Sequence, residues 1–109
     1  MSKLDAAVVF ITVGSQEEAR RVATALLEGR KAVCVNIVPK VESYFWWKGK
    51  LDTDQELLLI VKTRASLVDE LIDLVKSVHS YDVPEVIALP IIGGNQDYLD
   101  WLDKEVRQE

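Results

Sequence analysis

The side chains that could do chemistry gather in one short segment, His79-Ser80-Tyr81-Asp82-Val83-Pro84-Glu85. It holds the chain's single histidine together with a phenol and carboxylates. Pro84 biases Val83 toward extended backbone, so a strand restarts just after it. His79 falls four residues after Val75, at the edge of a helical apolar stripe. The other residue with metal or nucleophile chemistry is Cys34, the only cysteine. One Cys and one His fall short of the four ligands of a structural zinc site. A tight metal site would therefore need carboxylates, a neighbouring subunit, or a softer ion such as Cu(I) that accepts fewer ligands. A lone histidine in this setting is more often a satisfied core or cap residue than a ligand. A mid-strand cysteine is more often a small buried hydrophobe than a thiolate.

Other reaction chemistry has little support. No Gly-x-x-x-x-Gly-Lys-Ser/Thr loop and no Gly-x-Gly-x-x-Gly is present, and Gly93-Gly94 reads as a flexible turn before a helix. No second histidine is available to relay a proton to a nucleophile. The chain is read as a non-enzyme with no catalytic residues.

Tyr44, Phe45, Trp46 and Trp47 are consecutive. On a strand they alternate between faces, so this arm presents large apolar surface on both sides. One domain covers only one of them easily. The arm either folds back on its own helices or is covered by another copy, and self-association is the preferred reading, because an uncovered ribbon invites aggregation. Closed cyclic pairing would protect the open strand edges in every subunit.

The elements that must position these residues follow from period and punctuation. Ala6 to Val13 is a β-branched apolar run, a central strand ended by Gly14-Ser15. Ser15 with Glu18 forms a capping box before a helix whose stripe is Ala19, Val22, Ala23, Leu26 and Leu27, closed by Gly29. Ala32 to Val38 alternates and continues past Pro39 through Val41 to Trp47, which predicts a long strand bent or bulged at the proline. Lys48-Gly49-Lys50 reads as a turn and Leu57 to Lys62 as the returning strand. Ser66 with Asp69 repeats the capping signal before a helix marked by Val68, Leu71, Ile72, Val75 and Val78. Glu85 to Pro90 is the last strand, and Asn95 caps a terminal helix through Tyr98, Leu99, Leu102 and Val106. Two βαβ units joined by a hairpin predict an α+β, ferredoxin-like βαββαβ antiparallel sheet with a long β2–β3 arm and an extra C-terminal helix.

At 109 residues, 49% hydrophobic and 28% charged, the chain reads as one globular domain over 1–109. The formal net charge of -5 offers no basic stripe for nucleic acid. No stretch reads as a signal peptide or a bilayer span, and the single cysteine suits a reducing compartment, so the expectation is a soluble cytoplasmic protein without a membrane partner.

The sequence resembles the CutA family of divalent-cation tolerance proteins over about residues 6 to 107. The matching segments are Ala32-Val33-Cys34-Val35-Asn36-Ile37, Tyr44-Phe45-Trp46-Trp47-Lys48-Gly49-Lys50, Lys62-Thr63, His79 to Glu85, and Asp97-Tyr98-Leu99-Asp100-Trp101-Leu102. The resemblance implies a ferredoxin-like subunit similar to PII signalling proteins, a homotrimer whose arm reaches a neighbour, and a link to tolerance of divalent metals. Copper is the implied metal, with zinc as another divalent ion, and the implied metal residues are Cys34, His79 and Glu85. Some family members carry a further cysteine where this chain has Thr12, which makes a multi-thiolate copper site less expected. The alternative reading is a PII-like signalling or scaffold trimer that binds a small ligand or a partner protein between subunits.

Overall fold

The computed structural model describes residues 5–106. Its elements are β1 (Ala6–Val13), α1 (Gln16–Glu28), β2 (Cys34–Trp47), β3 (Lys50–Arg64), α2 (Val68–Val78), β4 (Val86–Pro90) and α3 (Gln96–Glu105). The four strands form one sheet in the order β2-β3-β1-β4, and every neighbouring pair is antiparallel. This is the expected ferredoxin-like α+β arrangement with its added helix. Among the described residues no helix is long and apolar enough to cross a membrane.

Period-two alternation assigns the two faces of the sheet. Val9, Ile11 and Val13 of β1 stand opposite Val61, Leu59 and Leu57 of β3, and all but the half-buried Leu57 are fully buried. They pack with Ala19, Val22 and Leu26 of α1 and Leu71 and Val75 of α2 into one core. Each fully buried aliphatic side chain contributes about 1.5–3 kcal/mol relative to exposure. The other face has no such cover. Val38, Ile87 and Leu89 are 38%, 51% and 43% exposed there, beside Phe10 and Ile60. A smaller cluster of Ala6, Leu67, Leu99, Leu102 and Val106 docks α3 at the end of the sheet where β1 begins.

Two of the three expected N-caps form, Ser15 on α1 and Asn95 on α3, whose Oδ1 accepts from the Asp97 N–H at 3.1 Å. Ser15 Oγ accepts from the Glu18 N–H at 3.1 Å and starts α1, as read from the sequence. The helix ends at Gly29, but the left-handed position is taken by Arg30, at φ 57°. Arg30 N–H donates to Leu27 O and Lys31 N–H to Leu26 O, the pair of bonds that closes a Schellman end. Ser66 does not cap α2. It lies inside a 3₁₀ turn at Ala65–Leu67, and its hydroxyl and N–H both donate to the Asp5 carboxylate, at 2.8 and 3.2 Å. The carboxylate that holds it comes from the residue just before β1, which no local pattern shows.

The hairpin arm is longer than the apolar run suggested. β3 begins at Lys50, because the polar stretch Asp52 to Gln55 is laddered to Phe45 through Glu42. Lys48 at φ 51° and Gly49 at φ 78° make the two-residue turn. The register shifts between Val38 and Val41, where three steps along β2 match two along β3, with Lys40 at φ 61°. One inserted residue reverses which side chains face each way. Even-numbered residues of β2 face the uncovered side before Pro39, and odd-numbered ones after it. The arm does not fold back on its own helices. Tyr44, Trp46 and Leu51 are 71%, 73% and 66% exposed.

Candidate functional site

The segment His79 to Glu85 closes over the end of β1 where Thr12, Val13 and Gly14 lead into α1. His79 is the C-cap of α2, its N–H bonded to Val75 O at 2.8 Å. Its side chain is fully buried and both ring nitrogens are engaged. Nδ1 accepts from the Tyr81 N–H at 3.0 Å, so the proton sits on Nε2, which donates to Thr12 O at 2.8 Å. The ring thereby ties the loop to the central strand.

Glu18, expected only as a capping residue, has a second partner far away in the chain. Its Oε1 accepts from the Gly14 N–H at 3.2 Å, while Oε2 accepts from the Ser80 N–H at 2.6 Å and from Arg21 at 3.2 Å. His79 Nδ1 lies 3.6 Å from the same oxygen. Burial by itself pushes the Glu18 carboxyl up, yet hydrogen bonds from Ser80 and Gly14 hold it below its ordinary value of 4.5. A depressed carboxyl contributes stability that is fully present above pH 4.5 and is lost as the pH falls through the folded-state value. Glu18→Gln should therefore lower stability at pH 7 by about 1–2 kcal/mol, since two backbone donors lose a charged acceptor. It should also flatten the acid limb below pH 4.5 relative to the parent in denaturant titrations. A parallel acid limb in both proteins would contradict this.

Tyr81 carries the arrangement on to β3. Its hydroxyl donates to Glu56 Oε2 at 2.8 Å, and its ring stacks at a tilt on His79, 4.6 Å between centroids. Burial and the Glu56 carboxylate push the Tyr81 phenol well above its ordinary value, so it stays a neutral donor. Gly14 leaves room for it: a Cβ at position 14 would sit 3.2 Å from the Tyr81 hydroxyl.

Between this loop and the foot of the arm lies a cleft of about 570 Å³. Glu85 and Asp82 line it from the loop, and Asp52, Asp54 and the buried Glu56 from β3. Phe45 and Trp47 face it from β2 and Tyr81 from the loop, while Tyr44 borders it along the strand with its ring on the other face. The three β3 carboxylates fall between the Lys48-Gly49-Lys50 turn and Leu57, a stretch to which the sequence reading assigns no element and no role. Their period of two, Asp-x-Asp-x-Glu, was the signal that a strand would place them on one face.

The structure brings His79 and Glu85 to this end of the sheet but leaves Cys34 elsewhere. Cys34 pairs with Lys62, which pairs with Val8, four residues along β1 from Thr12 and so about 13 Å from it. There its thiol, half-buried, faces Asn36 Oδ1 at 3.9 Å, an oxygen that also accepts from Lys62 Nζ. Among the described residues no three His, Cys, Asp or Glu side chains converge as a metal cage. Cys34, His79 and Glu85 therefore do not form a copper site within one chain, and Cys34 and His79 are too far apart to work as a nucleophile and base.

The fold and these segments match known proteins. A model of the family described as CutA1 divalent ion tolerance protein matches residues 7–105. The chain belongs to the CutA1 family. It is 55% identical over 95 residues to the divalent-cation tolerance protein CutA of Thermus thermophilus, covering 87% of this chain and 92% of that protein. It is 54% identical over 101 residues to the chloroplastic CutA 1 of Oryza sativa subsp. japonica, covering 93% of this chain. It spans only 57% of that plant relative's length. The crystal structure of CutA1 from Oryza sativa superimposes with a TM-score of 0.92 at 53% identity, over 95% of both chains. CutA1 membership accounts for the arm, the His79 to Glu85 loop and α3 together, since all three lie within the matched span.

Proposed function

We propose that this CutA1 chain acts in tolerance of divalent cations, as a cytoplasmic homotrimer that binds copper or a related ion such as zinc and takes part in the response to metal ions. The observation that carries the reading is the match over residues 7–105 to a family whose Thermus thermophilus member is named for that role. The uncovered sheet face and the exposed arm support assembly. The geometry bears on which residues meet the ion. His79 has both nitrogens committed, so Glu85 and Cys34 are the accessible donors, and a site using both draws them from different copies. Isothermal titration with Cu(II), Cu(I) and Zn(II) tests this. Cys34→Ala and Glu85→Gln are each expected to weaken copper at least tenfold. Unchanged affinity in the double variant removes these residues from the site, and no binding by the assembled protein overturns the metal reading.

A second reading, a PII-like signalling or scaffold trimer, is favoured by one feature, the cleft of small-molecule size at the foot of the arm.

A further inference from the structure

The cleft's lining narrows what could occupy it, independently of the copper reading. Five of its twelve lining residues are carboxylates, Asp52, Asp54, Glu56, Asp82 and Glu85, and none is Lys, Arg or His. Such a lining repels phosphates, nucleotides and other anions and concentrates cations. Much of the remaining wall is aromatic, with Phe45, Trp47 and Tyr81. Rings of this kind bind ammonium groups over their faces and cover attached methylenes. Trp47 already does so within the chain, with Lys48 Nζ 5.8 Å from its centroid.

A bare divalent ion is matched less well. Calcium and magnesium require six or more converging oxygens, and among the described residues no three candidate ligands converge. Asp52, Asp54 and Glu56 are instead strung along one strand face, about 7 Å between successive members. That suits several separated positive charges on a flexible apolar chain. Glu56 is anchored among them, 8% exposed and held by the Tyr81 hydroxyl.

We propose that the cleft at the foot of the arm is a binding site for an organic polycation of the alkylamine class, with the carboxylates taking the ammonium groups and the aromatic rings covering the methylenes.

The test is titration of the whole protein, in its native assembly and at physiological ionic strength, with spermidine, followed by calorimetry and tryptophan fluorescence. One saturable site per chain is expected, with a change in tryptophan emission. Asp54→Asn and Trp47→Leu should each weaken it at least tenfold with unchanged far-ultraviolet circular dichroism. Glu17→Gln and Glu28→Gln, exposed carboxylates on α1, should leave it unaltered. Equal weakening by the α1 variants would reduce the binding to net-charge attraction and overturn the proposal. So would the absence of saturation, or full displacement of spermidine by an equal concentration of Mg(II). Copper titrated in parallel separates the two readings: copper binding without spermidine binding overturns this one alone, and spermidine without copper overturns only the other.

Discussion

Replacing His79 with alanine is expected to destabilise the fold by about 3 kcal/mol, read as a lower denaturant midpoint at unchanged slope and fixed protein concentration. The reason is the count of groups left behind. The ring is wholly buried, so its removal opens a cavity against Tyr81 and the end of β1. It also removes the hydrogen bonds that the ring makes to the Thr12 carbonyl and the Tyr81 N–H, two backbone groups. With the loop no longer pinned, the Tyr81–Glu56 bond loses its support and the wall of the cleft loosens. His79→Gln, which can restore one of the two bonds, should recover part of the loss. A residue serving only as a metal ligand would behave in the opposite way, with ion affinity falling and the metal-free protein nearly as stable as before. A destabilisation below about 1 kcal/mol would therefore refute the structural role.

The contrast shows what a sequence carries and what it does not. The strand and helix order was legible because its signals are local: β-branched runs, the Ser15 cap, the proline at the bulge, the two-residue turn. The arm was legible because four consecutive aromatics cannot all be hidden on a strand. What escaped depended on partners distant in the chain. His79 is fixed by Thr12, 67 residues away, and Glu18 by Ser80, 62 residues away. Ser66 looked like a cap, and only the fold brings the Asp5 carboxylate to it. The candidate metal residues failed to converge for a related reason. Type and spacing cannot say that Cys34 sits near the opposite end of the sheet from the histidine. The cleft was half-legible, because the aromatics stood out, while the alternating carboxylates opposite them acquired meaning only once the polar stretch was known to be strand.

Trp46→Glu is expected to convert the assembly to folded 12.3 kDa monomers in sedimentation at low micromolar concentration, while the parent runs at about three times that mass. Trp46 pairs across the arm with Leu51 and stands two residues from Tyr44, all three on the face turned away from the cleft and each about two-thirds or more exposed. None contributes to the core of its own chain, so far-ultraviolet circular dichroism should not change. Their exposure has to be offset somewhere, because an arm this apolar and this long is a template for uncontrolled pairing. Cover of the ring by a neighbouring copy would contribute about 2–3 kcal/mol, and a carboxylate in its place would add a desolvation penalty of similar size. Together these would weaken each contact by about a thousandfold or more. The variant separates two roles of the same arm. Spermidine binding at the foot, on the opposite face, should persist in the monomer if one chain supplies the whole cleft. Assembly that survives Trp46→Glu would mean that the sheet face bearing Ile87 and Leu89, rather than the arm, holds the copies together. A parent protein that sediments as a stable 12.3 kDa particle would remove the homotrimer altogether.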